Sequence, residues 1–421
     1  MVTLKVNWSS SDFVTTRYDN RSRMGLYMTE KPYLPRQFFI RKRETPPRIL
    51  AVAQRYIQGP GVMEDIGHYL SLLKITSAGL LASKRGHSAV GTKISYSLGN
   101  SGITAVPLIF GGECSLTEIN SQVDAMSGVD ISCIIATGGG KLIDAGRAIA
   151  FRLNIPTIII PTIASTDAPC SALSAIYSET GILENIEFYP QHPAMVIVDT
   201  NIIVDAGERY LVSGMGDALA TWYEALVCHA NPRTITATGG RPTLASYAIG
   251  EICAKTLYEF GEAAAVAVKE HRNDEAVEKI IEANTLLSGL GFENGGLALA
   301  HALGNSYPEI PIVHENFMHG EMVAMGLMTQ LCLEKSNDLE KVASFFAQVG
   351  LPIHLGQILL STKEQNNLDL LIEATLNKPI AYNMQIPVTH ESLREAILKA
   401  HDFGLNICKK IGDEAYRRLH R

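Results

Sequence analysis

Three side chains in this sequence have the types and spacing of a metal centre: Asp217, His301 and His319. The two histidines belong to one stretch, Gly295 to Glu321, which reads GGLALAHALGNSYPEIPIVHENFMHGE. His301 sits in a run of small apolar residues, most simply a buried helix. Pro308 and Pro311 break that run, and His319 opens a second apolar run that continues through Leu331. Two imidazoles on two helical segments joined by a loop can converge on one cation, with a third ligand still needed. A lone histidine on an apolar face is more often a satisfied core residue, and for either ring taken alone that reading stays open. Asp217 changes the balance. It follows Gly214-Met215-Gly216 and is expected to begin a helix, where a carboxylate also serves as a cap. The three together offer one carboxylate and two imidazoles and leave coordination positions open, as a catalytic metal requires.

A second constellation lies upstream. Ile134 to Ala150 reads as a strand, then Gly138-Gly139-Gly140, then a helix. Glycines at such a turn let backbone N–H groups approach an anion, and the helix N-terminus adds a favourable field. The spacing is not G-x-G-x-x-G, so the ordinary dinucleotide fingerprint is absent and a plain tight turn remains an alternative. After the next strand comes a hydroxyl-rich loop with Thr162, Ser165, Thr166, Asp167, Ser171 and Ser174. A capped turn rich in hydroxyls is the alternative, but two such loops at adjacent strand ends favour the crevice where α/β sheets place ligands.

The elements that must position these groups follow from the pattern of apolar runs. Short runs recur at Gly79–Ala82, Ile103–Phe110, Ile131–Ala136, Ile155–Ile160 and Met195–Val198, separated by helical stretches such as Val62–Leu73 and Leu142–Leu153. Strands apolar on both faces with helical crossovers predict an α/β fold with a doubly wound parallel sheet. Beyond Val212 the helical patterns are Ala218–His229, Leu244–Phe260, Glu275–Leu290, Glu321–Leu333, Leu339–Val349 and Glu391–Lys410. The expected organisation is a loosely ordered basic arm over residues 1–48, a dinucleotide-binding α/β domain over 49–212 and an all-helical metal and substrate domain over 213–421.

Composition bounds the function. The 421 residues carry a net charge of -7, which argues against nucleic acid as the main partner. No apolar run is long enough to span a bilayer. Seven scattered cysteines without C-x-x-C spacing suit buried reduced thiols in an intracellular protein. The cytoplasm is the expected location, with the mitochondrial matrix an alternative because the arm is rich in arginine. The expected partners are a small polyol or hydroxy-ketone substrate and further copies of the chain.

The runs TGGGKLID, PTIASTDAPCSALSAIY, SGMGDALATWYEA and GLGFENGGLALAHA, in that order, resemble the glycerol dehydrogenases, a zinc-using branch of the iron-type alcohol dehydrogenase superfamily. The resemblance extends from about Ile49 to Cys408. It implies a Rossmann-like sheet domain followed by a helical domain, the architecture shared with dehydroquinate synthase. It implies that Gly140, Lys141, Leu142 and Asp144 lie along the cofactor pyrophosphate. Thr162, Ser165, Ser171, Leu173 and Tyr177 would line the nucleotide site, and Asp167 would hold a substrate hydroxyl. Asp217, His301 and His319 would bind one Zn2+. The implied reaction is metal-dependent oxidation of glycerol to dihydroxyacetone with a nicotinamide cofactor, NAD or NADP.

Departures from the family pattern sharpen these expectations. Iron-type relatives carry a further histidine four residues after the metal aspartate; here that position is Thr221. The glycerol branch usually has a second histidine shortly after the first metal histidine, where this chain has Gly304, and that is expected to alter the pocket wall. His314 is read as a loop residue at the surface or behind the ligands. Where relatives have an aspartate for the adenosine ribose, Ser83 stands here, followed by Lys84 and Arg85. Loss of that carboxylate removes the repulsion that excludes a 2′-phosphate, and the two cations suit one. Competing readings are an NADPH-linked reductase of a small hydroxy ketone or 2-oxo acid on the same scaffold, a carbocycle-forming lyase, and a redox-silent nucleotide-binding relative.

Overall fold

A computed structural model describes residues 32–40 and 45–421 of the protein. The strands are β1 (Tyr56–Gly59), β2 (Ser77–Ser83), β3 (Thr104–Phe110), β4 (Cys133–Gly138), β5 (Thr157–Pro161), β6 (Leu173–Tyr177), β7 (Leu183–Phe188) and β8 (Met195–Asp199). Six of them form one parallel sheet in the order β1-β8-β5-β4-β2-β3. The central strands are apolar on both faces because helices cover both: β4 and β5 bury Ile134, Ile135, Ile158, Ile159 and Ile160 completely. The chain steps outward from β2 to β3 and then returns past β2 to β4. The strand order therefore reverses between β2 and β4, and Ser83 and Gly138 end the two strands that flank that switch point.

All five expected strand runs are strands. Two further elements were not visible in the pattern. Strand β1 is short and half-buried throughout, an edge strand with a polar Gln58 rather than an apolar run. Strand β6, in the stretch expected to be a hydroxyl-rich loop, pairs with β7 as an antiparallel hairpin. An isolated two-stranded hairpin is marginal in water, and this one is pinned from outside. Asp144 accepts the Ala175 N–H at 3.2 Å, its backbone carbonyl accepts from Ser174 Oγ at 2.9 Å, and Arg152 pairs with Glu187 at 2.8 Å. The expected helix Val62–Leu73 is broken into 3-10, α and 3-10 pieces, with Asp199 accepting the N–H groups of Gly61 and Met63 at its start.

Helices α1 (Thr92–Asn100), α2 (Leu116–Met126) and α3 (Gly140–Leu153) flank the sheet. After β8 the described chain is helical: α4 (Glu208–Ala230), α5 (Leu244–Lys269), α6 (Glu275–Glu282), α7 (Ser288–Gly295), α8 (Leu299–Gly304), α9 (Pro311–Asn316), α10 (His319–Glu334), α11 (Leu339–Val349), α12 (Gln365–Leu376), α13 (His390–Ile411) and α14 (Glu414–Leu419). The boundary expected at 212 falls inside α4, so the change from strand to helix comes earlier, at Asp199. The helix expected over Glu275–Leu290 runs on to Gly295 but contains a π turn at Ala283–Leu287. Asn284 in that turn donates to the carbonyls of Ala164 and Leu211, which ties the helical half to the loop after β5.

Most of the arm lies outside the described residues. The part that is described is held in place rather than loose. Arg241 donates to the carbonyls of Pro46 and Pro47, and Ile49 donates back to Arg241. The seven cysteines are all free, and six are buried. Among the described residues no helix is long and apolar enough to cross a membrane.

Candidate active site and its relatives

The metal-ligand candidates come together because two helices touch backbone to backbone. A Cβ on Gly320 would lie 1.9 Å from the Ser213 carbonyl oxygen, and one on Gly216 would lie 2.5 Å from the carbonyl oxygen of Gly320. Only glycine permits that approach, and it brings Asp217 of α4 beside His319, the first residue of α10. Asp217 is not a helix cap as the sequence suggested: it lies in the interior of α4 and is fully buried. Helix α4 starts well before the glycines because they serve helix packing and do not end the preceding element.

Asp217 Oδ1 is 3.3 Å from His301 Nε2 and 3.3 Å from His319 Nε2. It is buried and within ion-pair range of both rings, yet has no hydrogen-bond partner. One ligand atom from each of the three residues lies within 4.8 Å of the others. An orphaned carboxylate oxygen facing two imidazole nitrogens fits a cation, and a set of two nitrogens and one oxygen suits zinc. Burial alone would raise the Asp217 pKa, but the His319 and His301 rings hold it well below the usual carboxylate range.

Glu224 completes the arrangement and was not singled out in the sequence. It lies two turns after Asp217 on the same face of α4 and is fully buried. His301 Nδ1 hydrogen-bonds Glu224 Oε2, and Glu224 Oε1 accepts the N–H groups of Ala298 and His301, each at 2.8 Å. A carboxylate at Nδ1 leaves Nε2 facing Asp217 and fixes the ring. Burial works against a charged His301, but Glu224 and then Asp217 more than reverse this and raise its pKa well above the ordinary value. The seven-residue spacing from Asp217 in SGMGDALATWYEA was the available signal.

His301 and His319 line one wall of a cavity of about 610 Å³, with Asp217 buried behind them. The opposite wall is the carboxyl end of the sheet, with Gly140, Lys141, Asp144, Ser165, Asp167, Ser171, Leu173 and Tyr177. Asp167 is buried at the junction of the walls. Its N–H donates to Asp217 Oδ2 at 3.2 Å, and its Oδ2 accepts from Ser288 Oγ at 3.0 Å. Burial, and then the Asp217 carboxylate, push its pKa up to about 7. Lys141 pairs with Glu113 at 2.6 Å and sits 5.1 Å from the Tyr177 ring centre.

Other expected residues contribute differently. Gly138, Gly139, Leu142 and Thr162 do not line the cavity. Leu142 is packed against Gly138, and the Thr162 N–H donates to the Gly138 carbonyl at 3.0 Å. The Asp144 carboxylate is engaged by Arg147 and Ala175 N–H, and burial raises its pKa to about 6. Ser83 ends β2, where its Oγ accepts the Gly86 N–H at 3.0 Å, and Lys84 and Arg85 are exposed beside it. Thr221 faces Ser288 and the Asp217 carbonyl rather than the ligand atoms. Gly304 does not form the pocket wall: a Cβ there would sit 2.5 Å from Val323 Cγ2, in the interface of α8 with α10. His314 lies on the short helix α9, not in a loop, and is half-buried.

Comparison with known proteins fits this geometry. The profile of the family described as iron-containing alcohol dehydrogenase matches residues 53–200. Glycerol dehydrogenase of Escherichia coli O6:H1 is 40% identical over 360 residues, covering 85% of this chain and 97% of that one. The chain belongs to the iron-containing alcohol dehydrogenase family. Within that family it is also similar to glycolaldehyde reductase of Halobacterium salinarum, 39% identical over 84% of this chain and 96% of that one. The crystal structure of glycerol dehydrogenase from Schizosaccharomyces pombe matches at a TM-score of 0.81 with 36% identity, covering 87% of this chain and 93% of that one. As a family member the protein is an alcohol dehydrogenase with a parallel sheet and a large helical part, as the sequence predicted.

Proposed function

We propose that this protein oxidises glycerol to dihydroxyacetone, with Asp217, His301 and His319 holding a zinc ion and the sheet wall holding a nicotinamide dinucleotide. The observation that carries the reading is the orphaned Asp217 Oδ1 set between two imidazole nitrogens at the wall facing the sheet. The relatives named as glycerol dehydrogenases support the substrate.

A bound metal would supply the Lewis acidity that lowers the pKa of an alcohol hydroxyl, and a bound nicotinamide would supply the hydride acceptor. The chain's own residues do the rest. Glu224 fixes the His301 ring. Ser288 holds Asp167 Oδ2, which presents the carboxyl at the cavity to accept a hydrogen bond from a substrate hydroxyl. The start of α3 places Gly140 and Lys141 where helix N–H groups and an ammonium meet the cofactor phosphates. Ser165, Ser171, Leu173 and Tyr177 bound the nucleotide. Ile163, Phe188, Ile235, Phe292 and Leu297 give the cavity an apolar lining that excludes water from hydride transfer.

The cofactor is NADP(H) as well as NAD(H). What supports this is Ser83 at the β2 end, in place of a carboxylate, with Lys84 and Arg85 free at the surface of the same turn. The test of the overall reading is glycerol oxidation with each cofactor after chelation and again after adding zinc. Turnover should vanish on chelation and return with the metal. Full turnover by metal-free protein, or none with any polyol when zinc is loaded, would contradict it.

A further inference from the structure

Residues 414–420 lie beyond the stretch that carries the family motifs, and His420 packs against the scaffold of the ligand candidate His319. Helix α14 is fastened at several points. Arg418 pairs with Glu208 at 2.5 Å, the Tyr416 hydroxyl donates to the Gln357 carbonyl, and Leu419 packs so closely on Gly350 that a Cβ there would lie 2.8 Å from its Cδ1. These contacts present His420. Its ring stacks on Tyr416 with centroids 4.0 Å apart, Nδ1 is 2.9 Å from the Tyr416 carbonyl oxygen, and Nε2 is 2.9 Å from Glu321 Oε1.

Glu321 is the third residue of α10 and is 1% exposed. Its Oε1 also accepts from Arg209 Nε at 2.7 Å, and its Oε2 accepts from Arg209 Nη2 and from the Met318 N–H, each at 2.8 Å. The last bond caps the helix whose first residue is His319. His301 is oriented by Glu224, but among the described residues no hydrogen bond reaches the second ring nitrogen of His319, whose side chain is 34% exposed. His319 is therefore placed by its backbone, which the close packing of Gly320 on Ser213 holds from one side and the Glu321 cap holds at the helix start.

We propose that His420 is a positioning residue for the metal ligand His319, acting through the Glu321 carboxylate and the Met318 N–H. Helix α14 and the histidine that follows it thus set how firmly the metal is held. This rests on the reading of Asp217, His301 and His319 as the zinc site. Partners behind a metal ligand are worth about 10–100-fold in metal affinity when they act on the ligand directly; acting one bond further out, His420 should sit at the lower limit.

The experiment follows zinc release from the purified holoprotein into a colorimetric chelator, for wild type, His420→Ala, His420→Gln, a chain ending at Gly412, and His319→Ala. Cofactor affinity is measured alongside by fluorescence. His420→Ala and the shortened chain should release zinc about tenfold faster than wild type, with cofactor affinity unchanged. His420→Gln, which keeps a donor for Glu321, should return release toward the wild-type rate. His319→Ala should purify without zinc. If His319→Ala loses zinc while His420→Ala releases it at the wild-type rate, the positioning role is wrong and the metal site stands. If His319→Ala keeps its zinc, both fall. Release from His420→Gln as fast as from His420→Ala, or loss of cofactor affinity in either point variant, would mean that the tail acts by general packing, which also overturns the proposal. Should the shortened chain fail to fold, the point variants decide.

Discussion

The two walls of the cleft are built on opposite plans. The helical wall concentrates its chemistry in a few side chains that are buried and mutually dependent: Asp217 is fully buried, His301 is 3% exposed, and Glu224 behind it is fully buried. The sheet wall instead offers a helix N-terminus, backbone amides and hydroxyls at the ends of β4 and β5. An anion held by many N–H groups is indifferent to most side-chain changes, whereas a cation site with three ligands has none to spare. The helical wall should therefore break at single substitutions that leave the sheet wall working.

The sharpest break is Asp217→Asn. It removes the charge that balances a cation between two imidazoles, and zinc content and kcat should both fall, by more than about a hundredfold in turnover. Cofactor affinity, measured by titration, should not move. A variant that keeps stoichiometric zinc would mean that the helical wall is not what holds the metal. Next is Glu224→Ala, which leaves the ligands in place and frees the His301 ring; zinc affinity should fall by about 10–100-fold, measured by competition with a chelator. Asp167→Asn stands between the two walls. If it meets substrate, KM for glycerol should rise by about tenfold, the effect of weakening one charged hydrogen bond, with cofactor affinity kept. Loss of cofactor affinity with KM intact would move Asp167 to the sheet wall.

This contrast also explains what the sequence disclosed. The parallel sheet was legible because buried parallel strands are uninterrupted apolar runs, and runs such as Ile131–Ala136 and Met195–Val198 admit few other readings. The three ligand candidates were legible as residue types and through the family motifs. Their geometry was not. Asp217 looked like a cap because Gly214 and Gly216 read as a turn, and nothing local reveals that Gly216 and Gly320 meet across two helices. Glu224 and Glu321 were hidden for a related reason: a carboxylate in a helical pattern reads as solvated until its long-range partner is known. The β6–β7 hairpin escaped because its stability comes from Asp144 and Arg152 on α3 rather than from its own alternation. Gly304 was misplaced because a residue's neighbours along the chain do not say which way its Cβ points.

The smallest expected effect lies on the sheet wall. Ser83→Asp should lower kcat/KM for NADP by at least about tenfold through repulsion of the 2′-phosphate, leaving zinc content and NAD use nearly unchanged. A wild type that favours NAD by tenfold or more, unaltered by the substitution, would remove the turn at Lys84–Arg85 from the cofactor site and leave the rest of the comparison intact.

The central claim is that Asp217, His301 and His319 hold one catalytic zinc ion at the helical wall. The most direct measurement is anomalous diffraction from crystals of the active holoprotein, collected on both sides of the zinc absorption edge. The account predicts one strong zinc peak in contact with Asp217 Oδ1, His301 Nε2 and His319 Nε2. Fully active crystals with no anomalous peak at those atoms, or with the peak elsewhere in the chain, would contradict it.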